Sequence, residues 1–253
     1  MSMMILYHGE PNGPSLTALA ALFESGVEAE TRFVDLQAGD RHRIADLCET
    51  VARDMGVEGE GPVLVVDGEA MTESVFIAQF LDESGAGHLQ PKDAYAHWQM
   101  LMWCRRITER CAPAAAWLGC KSHPQEAFSA DPALIFSDDL RQRWASAAAG
   151  DFTESATADS LVKVTDAAAL VETQLADGRD WLMGDFCIAD LETYAWLAGM
   201  VLVVPDLLED RPCFVAWLDR VAARPSVSRA LMLARIPDPR MAWVPGPEIN
   251  RWG

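Results

Sequence analysis

Basic residues are scarce in this chain: 20 Lys and Arg stand against 38 Asp and Glu, a formal net charge of −18. There is no Lys/Arg cluster of the kind a folded nucleic-acid binder presents, and anionic membrane surfaces are disfavoured on the same ground. Long apolar runs are also missing. The nearest, Tyr194–Val204, is too short to span a bilayer. Met1–Tyr7 is apolar but lacks the basic start and small cleavage-site residues of a secretory signal, so a cytoplasmic location is expected. The six cysteines (Cys48, Cys104, Cys111, Cys120, Cys187, Cys213) form no CxxC pair and no metal-like grouping with the few histidines. Buried reduced thiols and no metal site are the expectation. The absence of a Gly-rich phosphate loop argues against a nucleotide cofactor.

What is present reads as an ordinary globular chain, half apolar and about a quarter charged, long enough for one large domain or two small ones. The first 83 residues alternate strand and helix signals. Met3–Tyr7 is a buried-strand run, and Ser15–Ser25 has helical spacing with Gly26 just past its end. Glu30–Asp35 alternates like a strand, and Asp40–Met55 places Ile44, Leu47, Cys48 and Val51 on one helical face. Pro62–Val66 and Glu69–Thr72 flank the Asp67-Gly68 turn as a hairpin, and Glu73–Asp82 is a closing helix. The order βαβαββα fits a thioredoxin-like α/β arrangement. The polar, Gly-bearing stretch Ser84–Pro91 marks a boundary, giving domains over residues 1–83 and 92–253. The second domain is expected to be all-helical, over Lys92–Leu118, Ala133–Ala149, Asp159–Leu175, Ile188–Val203 and Cys213–Ala223. Ala149–Thr157 reads as a loop. Pro237, Pro239, Pro245 and Pro247 exclude regular structure from the tail, which Trp243 and Trp252 are placed to pin to the body.

Three segments, in order along the chain, resemble the glutathione transferase superfamily. They are Gly61-Pro62-Val63-Leu64 with Glu73-Ser74, then Gly184-Asp185-Phe186-Cys187-Ile188-Ala189-Asp190, then Phe214–Arg220 with Arg224-Pro225. Leu6-Tyr7, Pro14-Ser15-Leu16, Phe33-Val34-Asp35, Val66-Asp67-Gly68 and Ala216–Arg220 are similar to the bacterial β-etherases, glutathione-dependent enzymes that cleave lignin-derived β-aryl ethers. The resemblance implies a thioredoxin-like domain followed by a helical one, with glutathione as cosubstrate and a hydrophobic aromatic compound as acceptor. It also implies a homodimer, or a heterodimer with a related subunit.

Such an enzyme must present the glutathione sulfur as a thiolate, because the thiolate is the nucleophile. The resemblance implies Ser15 as its stabiliser, with Asn12 as a second candidate; the plainer readings are an N-cap and a turn residue. Pro14 departs from the family branch, since proline has no N–H where an amide donor is expected. Gly61 and Pro62 are implied as the clamp for the cysteine moiety, across a cis peptide bond, and Glu73 and Ser74 as the site for the γ-glutamyl end. An ordinary trans turn and an acidic helix start are the plainer alternatives. Glu58 and Glu60 precede the clamp and would repel an anionic tripeptide if they point inward. Arg41, His42 and Arg43 are either a site for the glycine carboxylate or a solvated helix start. Cys187 replaces the usual Ser/Thr cap of the late helix, with Asp190 left to serve the reciprocal half of a capping box. Trp98, Met102, Trp103, Trp117 and Phe128 are candidate acceptor lining or plain core. Two alternatives to a self-sufficient β-etherase stay open: a weakly catalytic or non-catalytic partner subunit, and a general glutathione transferase.

Overall fold

The structure, a computed structural model, describes residues 3–44, 60–135 and 137–247. Strand β1 (Met4–His8) lies at the centre of a small sheet, parallel to β2 (Glu30–Phe33) and antiparallel to β3 (Val63–Val66); β4 (Glu69–Met71) completes the order β2-β1-β3-β4. Leu6 faces Leu64 across the central pair, and both are fully buried. The hairpin turns at Asp67 and Gly68, whose φ values of 51° and 91° suit a turn that matches strand twist. Helix α1 (Gly13–Ser25) makes the β1–β2 crossover, and α2 (Ser74–Ser84) follows the hairpin. The four expected strands, and the first and last of the three expected helices, are therefore present in the expected order. Of the helix expected over Asp40–Met55, the described residues hold one 3-10 turn, Asp40–His42, and then Arg43 and Ile44 in no helix; its residues 45–55, Cys48 among them, lie outside the described residues, as does Glu58.

The second part is helical. Helix α3 (Ala94–Arg106) starts where Asp93 accepts the Tyr95 and Ala96 amides, and passes through a π-helical turn, Ile107–Cys111, into α4 (Ala112–Lys121). The single helix expected over Lys92–Leu118 is thus interrupted, and Pro113 is the physical reason. It has no N–H to donate, and its ring would press on the carbonyl one turn back. Helix α5 (Asp138–Ala149) begins at a Ser137 cap, not at Ala133, because Pro132–Leu134 forms only a 3-10 turn. Helix α6 (Glu154–Leu175) starts earlier than expected, because the Thr153 hydroxyl accepts the Ala156 amide in what reads as loop. Helix α7 (Ile188–Leu197) is separated by Ala198 and Gly199 from a short α8 (Met200–Val203); α9 (Pro212–Ala222) and an unanticipated α10 (Pro225–Leu231) follow.

Every residue of α7 is buried, and it packs against α1, α2 and α3, so it joins the two parts. Its start depends on Asp190. That carboxylate accepts the Cys187 and Leu182 amides at 3.1 Å each and the Trp217 indole at 2.8 Å. The reciprocal half of the capping box expected from Asp190 is present. Burial pushes the Asp190 carboxyl up to about 6 against the pull of these bonds. Beyond α10 the chain forms a 3-10 turn, Pro239–Met241, and then runs irregularly to Pro247. Trp243 pins it to the body as expected; Trp252 lies outside the described residues. The indole fits because positions 119 and 199 are glycine: an added Cβ would stand 2.1 Å and 2.6 Å from the Trp243 ring. Among the described residues no helix is long and apolar enough to cross a membrane.

Candidate active site

The start of α1 shapes the site. Asn12 is extended, Gly13 turns the chain at φ 49°, and Pro14 occupies the first helical turn. Asn12 does not cap the helix. Its Nδ2 donates instead to the Ala242 carbonyl at 3.1 Å, and its buried Oδ1 has no partner among the described residues. Ser15 Oγ accepts the Gly9 amide at 3.0 Å, leaving its own hydrogen to donate. Both residues line one cavity of about 100 Å³, together with Gln37, Glu60, Trp196 and Trp243. The two thiolate-stabilising candidates are thus brought together. Gly61, Pro62, Glu73 and Ser74 do not line this cavity.

The Gly61–Pro62 bond is not cis. Among the described residues no peptide bond is, so the expected cis-proline clamp is corrected to a trans turn, the ordinary preference even before proline. The chain entering this turn is held by Glu60, whose amide donates to the Pro245 carbonyl at 3.2 Å. Glu73 precedes α2 with φ 69°, a conformation that L side chains rarely adopt, and Ser74 is fully buried behind it. The Ser74 hydroxyl donates inward, to Glu192 Oε2 at 3.0 Å.

Glu60 does point inward, but its charge is matched. His42 Nε2 lies 2.6 Å from Glu60 Oε1, and the Trp144 indole donates to the same oxygen at 2.8 Å. Burial alone would raise the Glu60 carboxyl; the bond and charge of His42, the charge of Arg41 and the Trp144 bond outweigh it and hold it below its usual range. Arg41 and His42 are buried, so the solvated-helix-start reading fails for them; Arg43 is exposed and pairs with Asp40 at 3.2 Å. His42 faces the Glu60 carboxylate.

A second cavity of about 210 Å³ lies between α4, α5 and the tail, lined in part by Pro113, Trp117, Arg143, Phe152 and Pro245. Trp117 and Phe152 meet edge-to-face with centroids 5.0 Å apart. Gly246 lines both cavities, so the tail is their shared wall. Of the five acceptor-lining candidates only Trp117 is found there. Trp98 and Met102 are exposed, Trp103 is buried with its indole on Thr193, and Phe128 packs edge-to-face on Trp144. Sequence reasoning missed Arg143, Phe152, Glu192 and the tail's role as a wall. Only the tail gave a signal, in Trp243.

Family models describe the two parts separately. "Glutathione S-transferase, N-terminal domain" matches residues 2–83, and "Glutathione S-transferase, C-terminal domain" matches residues 118–225. Protein LigF of Sphingobium sp. (strain NBRC 103272 / SYK-6) is 28% identical over 245 residues, 88% of this chain and 90% of that one. The crystal structure of beta-etherase LigF from Sphingobium sp. strain SYK-6 superposes with a TM-score of 0.78 at 24% identity, covering 92% of this chain and all of the other (100%). A family member from Pseudomonas fluorescens pf-5, with two glutathione molecules bound, superposes with a TM-score of 0.67 at 19% identity, covering 90% and 92%. The two matched domains in their order, on a sheet and helices of this arrangement, place the chain in the glutathione transferase family.

Proposed function

We propose that this chain is a glutathione-dependent enzyme that cleaves β-aryl ether bonds in lignin-derived aromatics. One observation carries the reading: the Ser15 hydroxyl and the Asn12 amide converge at the start of α1 in a cavity that shares Gly246 with an aromatic-lined one. The likeness to a beta-etherase along most of the chain supports the choice of substrate class. In the proposed reaction the glutathione sulfur bonds to the carbon bearing the aryl ether, beside a ketone. The carbon–oxygen bond breaks and its electron pair leaves with the phenolate. Ser15 donates to the thiolate, and the partial positive charge at the start of α1 favours the anion. Asn12 has a second Nδ2 hydrogen that can donate to the same sulfur. Gly61 and Pro62 serve the cysteine moiety as a trans turn, and Glu73 and Ser74 the γ-glutamyl end. The protein works in the cytoplasm as a dimer, with a second copy or a related subunit.

Calorimetric titration of the purified chain with glutathione tests this. Millimolar or tighter binding is expected, with Ser15→Ala lowering turnover of an aryl ether ketone about a hundredfold, as loss of a donor to reacting charge does, and Asn12→Ala lowering it less. Absence of binding sinks the self-sufficient enzyme. Pro14 and the tail's hold on Asn12 and Glu60 would then favour the other reading, a supporting subunit that needs a competent relative.

A further inference from the structure

Glu192 is a fully buried carboxylate to which the reaction above gives no task. Three donors from three places meet on it. The Thr17 hydroxyl of α1 lies at 2.8 Å and the Ser74 hydroxyl of α2 at 3.0 Å, both on Oε2, and the Trp196 indole lies at 2.7 Å on Oε1. All three donors are neutral. Burial raises the Glu192 carboxyl against these bonds, as expected where a charge leaves water without a cation beside it.

Each donor belongs to a part that borders the proposed site. Thr17 is two residues beyond Ser15 on the same helix. Ser74 opens α2 directly after the strained Glu73. Trp196 lines the Ser15 cavity; its ring lies 3.4 Å from where a Cβ on Gly13 would stand, and it stacks on Trp243 with centroids 6.5 Å apart. One carboxylate, on the helix that joins the two parts of the molecule, thus sets the spacing between two helix starts and one cavity wall.

We propose that Glu192 is a positioning residue for glutathione. Acting through Ser74 and Trp196, it holds the start of α2 in register with the start of α1, so that one peptide engages both. The proposal rests on the glutathione-binding reading of the site. Replacement by Gln keeps the shape but turns one oxygen into a donor. An indole N–H cannot accept, so the amide oxygen must face Trp196 and the NH₂ must face the hydroxyls, which reverses the Ser74 hydrogen bond without removing it.

The test uses the full chain. Glu192→Gln is expected to raise the calorimetric Kd and the KM for glutathione about tenfold, the scale of one misdirected buried hydrogen bond, while kcat at saturating glutathione stays within about threefold of wild type. In a Ser74→Ala background the same change is expected to have little further effect on Kd, because the route through Ser74 is already gone. An unchanged Kd, an undiminished effect in the Ser74→Ala background, or a parallel fall in kcat and affinity would each overturn the proposal. Should Glu192→Gln fail to fold, Thr17→Val removes one donor from the same oxygen at nearly constant shape. It is expected to weaken binding non-additively with Ser74→Ala, and additivity would count as refutation. If the wild-type chain itself binds no glutathione, the functional reading falls and takes this proposal with it; wild-type binding with an indifferent variant sinks the proposal alone.

Discussion

Glu60 shows what a single residue discloses and what it hides. Its place just before Gly61-Pro62, and its danger to an anionic ligand, are legible in the sequence. Its partners are not: His42 lies 18 positions away and Trp144 lies 84 away, on α5. No local pattern links them, because the pairing exists only once the helical part closes over the sheet. The carboxylate therefore works as a tie between the two parts. Glu60→Gln removes the carboxylate that His42 and the Trp144 indole share, and breaking a buried pair of this kind typically destabilises by about 3–5 kcal/mol. The sign with pH follows from the lowered carboxyl. The pair's contribution is fully present above the unfolded-state value of 4.5 and is lost as pH falls through the lower folded value. Urea unfolding of wild type and variant is thus expected to show the widest gap near neutrality and a narrowing gap in acid; a gap that widens on acidification would contradict the pairing.

The elements were legible where a period was sustained and a cap was chemically plain. The strands, α1 and α2 declare themselves by alternation, by the helical spacing of Leu16, Leu19 and Leu22, and by glycine at position 26. The breaks were less visible. Apolar spacing runs smoothly through the π turn before Pro113, and Thr153 looks like one more loop residue until its hydroxyl is seen to accept the Ala156 amide. The four prolines of the tail predict irregular chain, and it is irregular, yet irregular chain can still be built into a wall. Its backbone is held by Asn12 on Ala242, Gln37 on Trp243 at 3.1 Å and Glu60 on Pro245. Gly199→Ala tests this fit. Its Cβ would stand 2.3 Å from the Arg240 carbonyl, which cannot swing aside as a side chain can. Overpacking of this kind is expected to lower stability by about 1–3 kcal/mol, to alter tryptophan fluorescence, and to make the chain beyond Met241 sensitive to protease. A variant with native fluorescence and native protease resistance would show that the tail is not seated by this contact.

At the scale of the whole molecule, domain order was legible because the family-like motifs fall in sequence from Leu6 to Pro225. For the proposed dimer, the candidate contact is the outer face of α3. Tyr95 and Trp98 stack at 5.4 Å on its outer face, 65% and 52% exposed, with Met102 also exposed; large side chains so placed commonly mark a contact surface. Arg105 and Arg106 continue the same helix, both exposed, with Arg105 already paired to Glu109 at 2.7 Å. An aromatic patch of this kind can pair with its own copy, and a two-fold pairing would use it on both subunits. Trp98→Glu would remove the ring and leave a carboxylate from each subunit to be desolvated where the two patches meet. Sedimentation velocity is expected to find wild-type chain as a dimer of 27.7 kDa subunits and the variant as monomer, its helical circular dichroism intact. Added salt should loosen the wild-type dimer only modestly, since screening reaches the arginines but not the buried rings. A variant that stays dimeric would move the interface away from α3; a monomeric wild type would point to a related subunit as the natural partner.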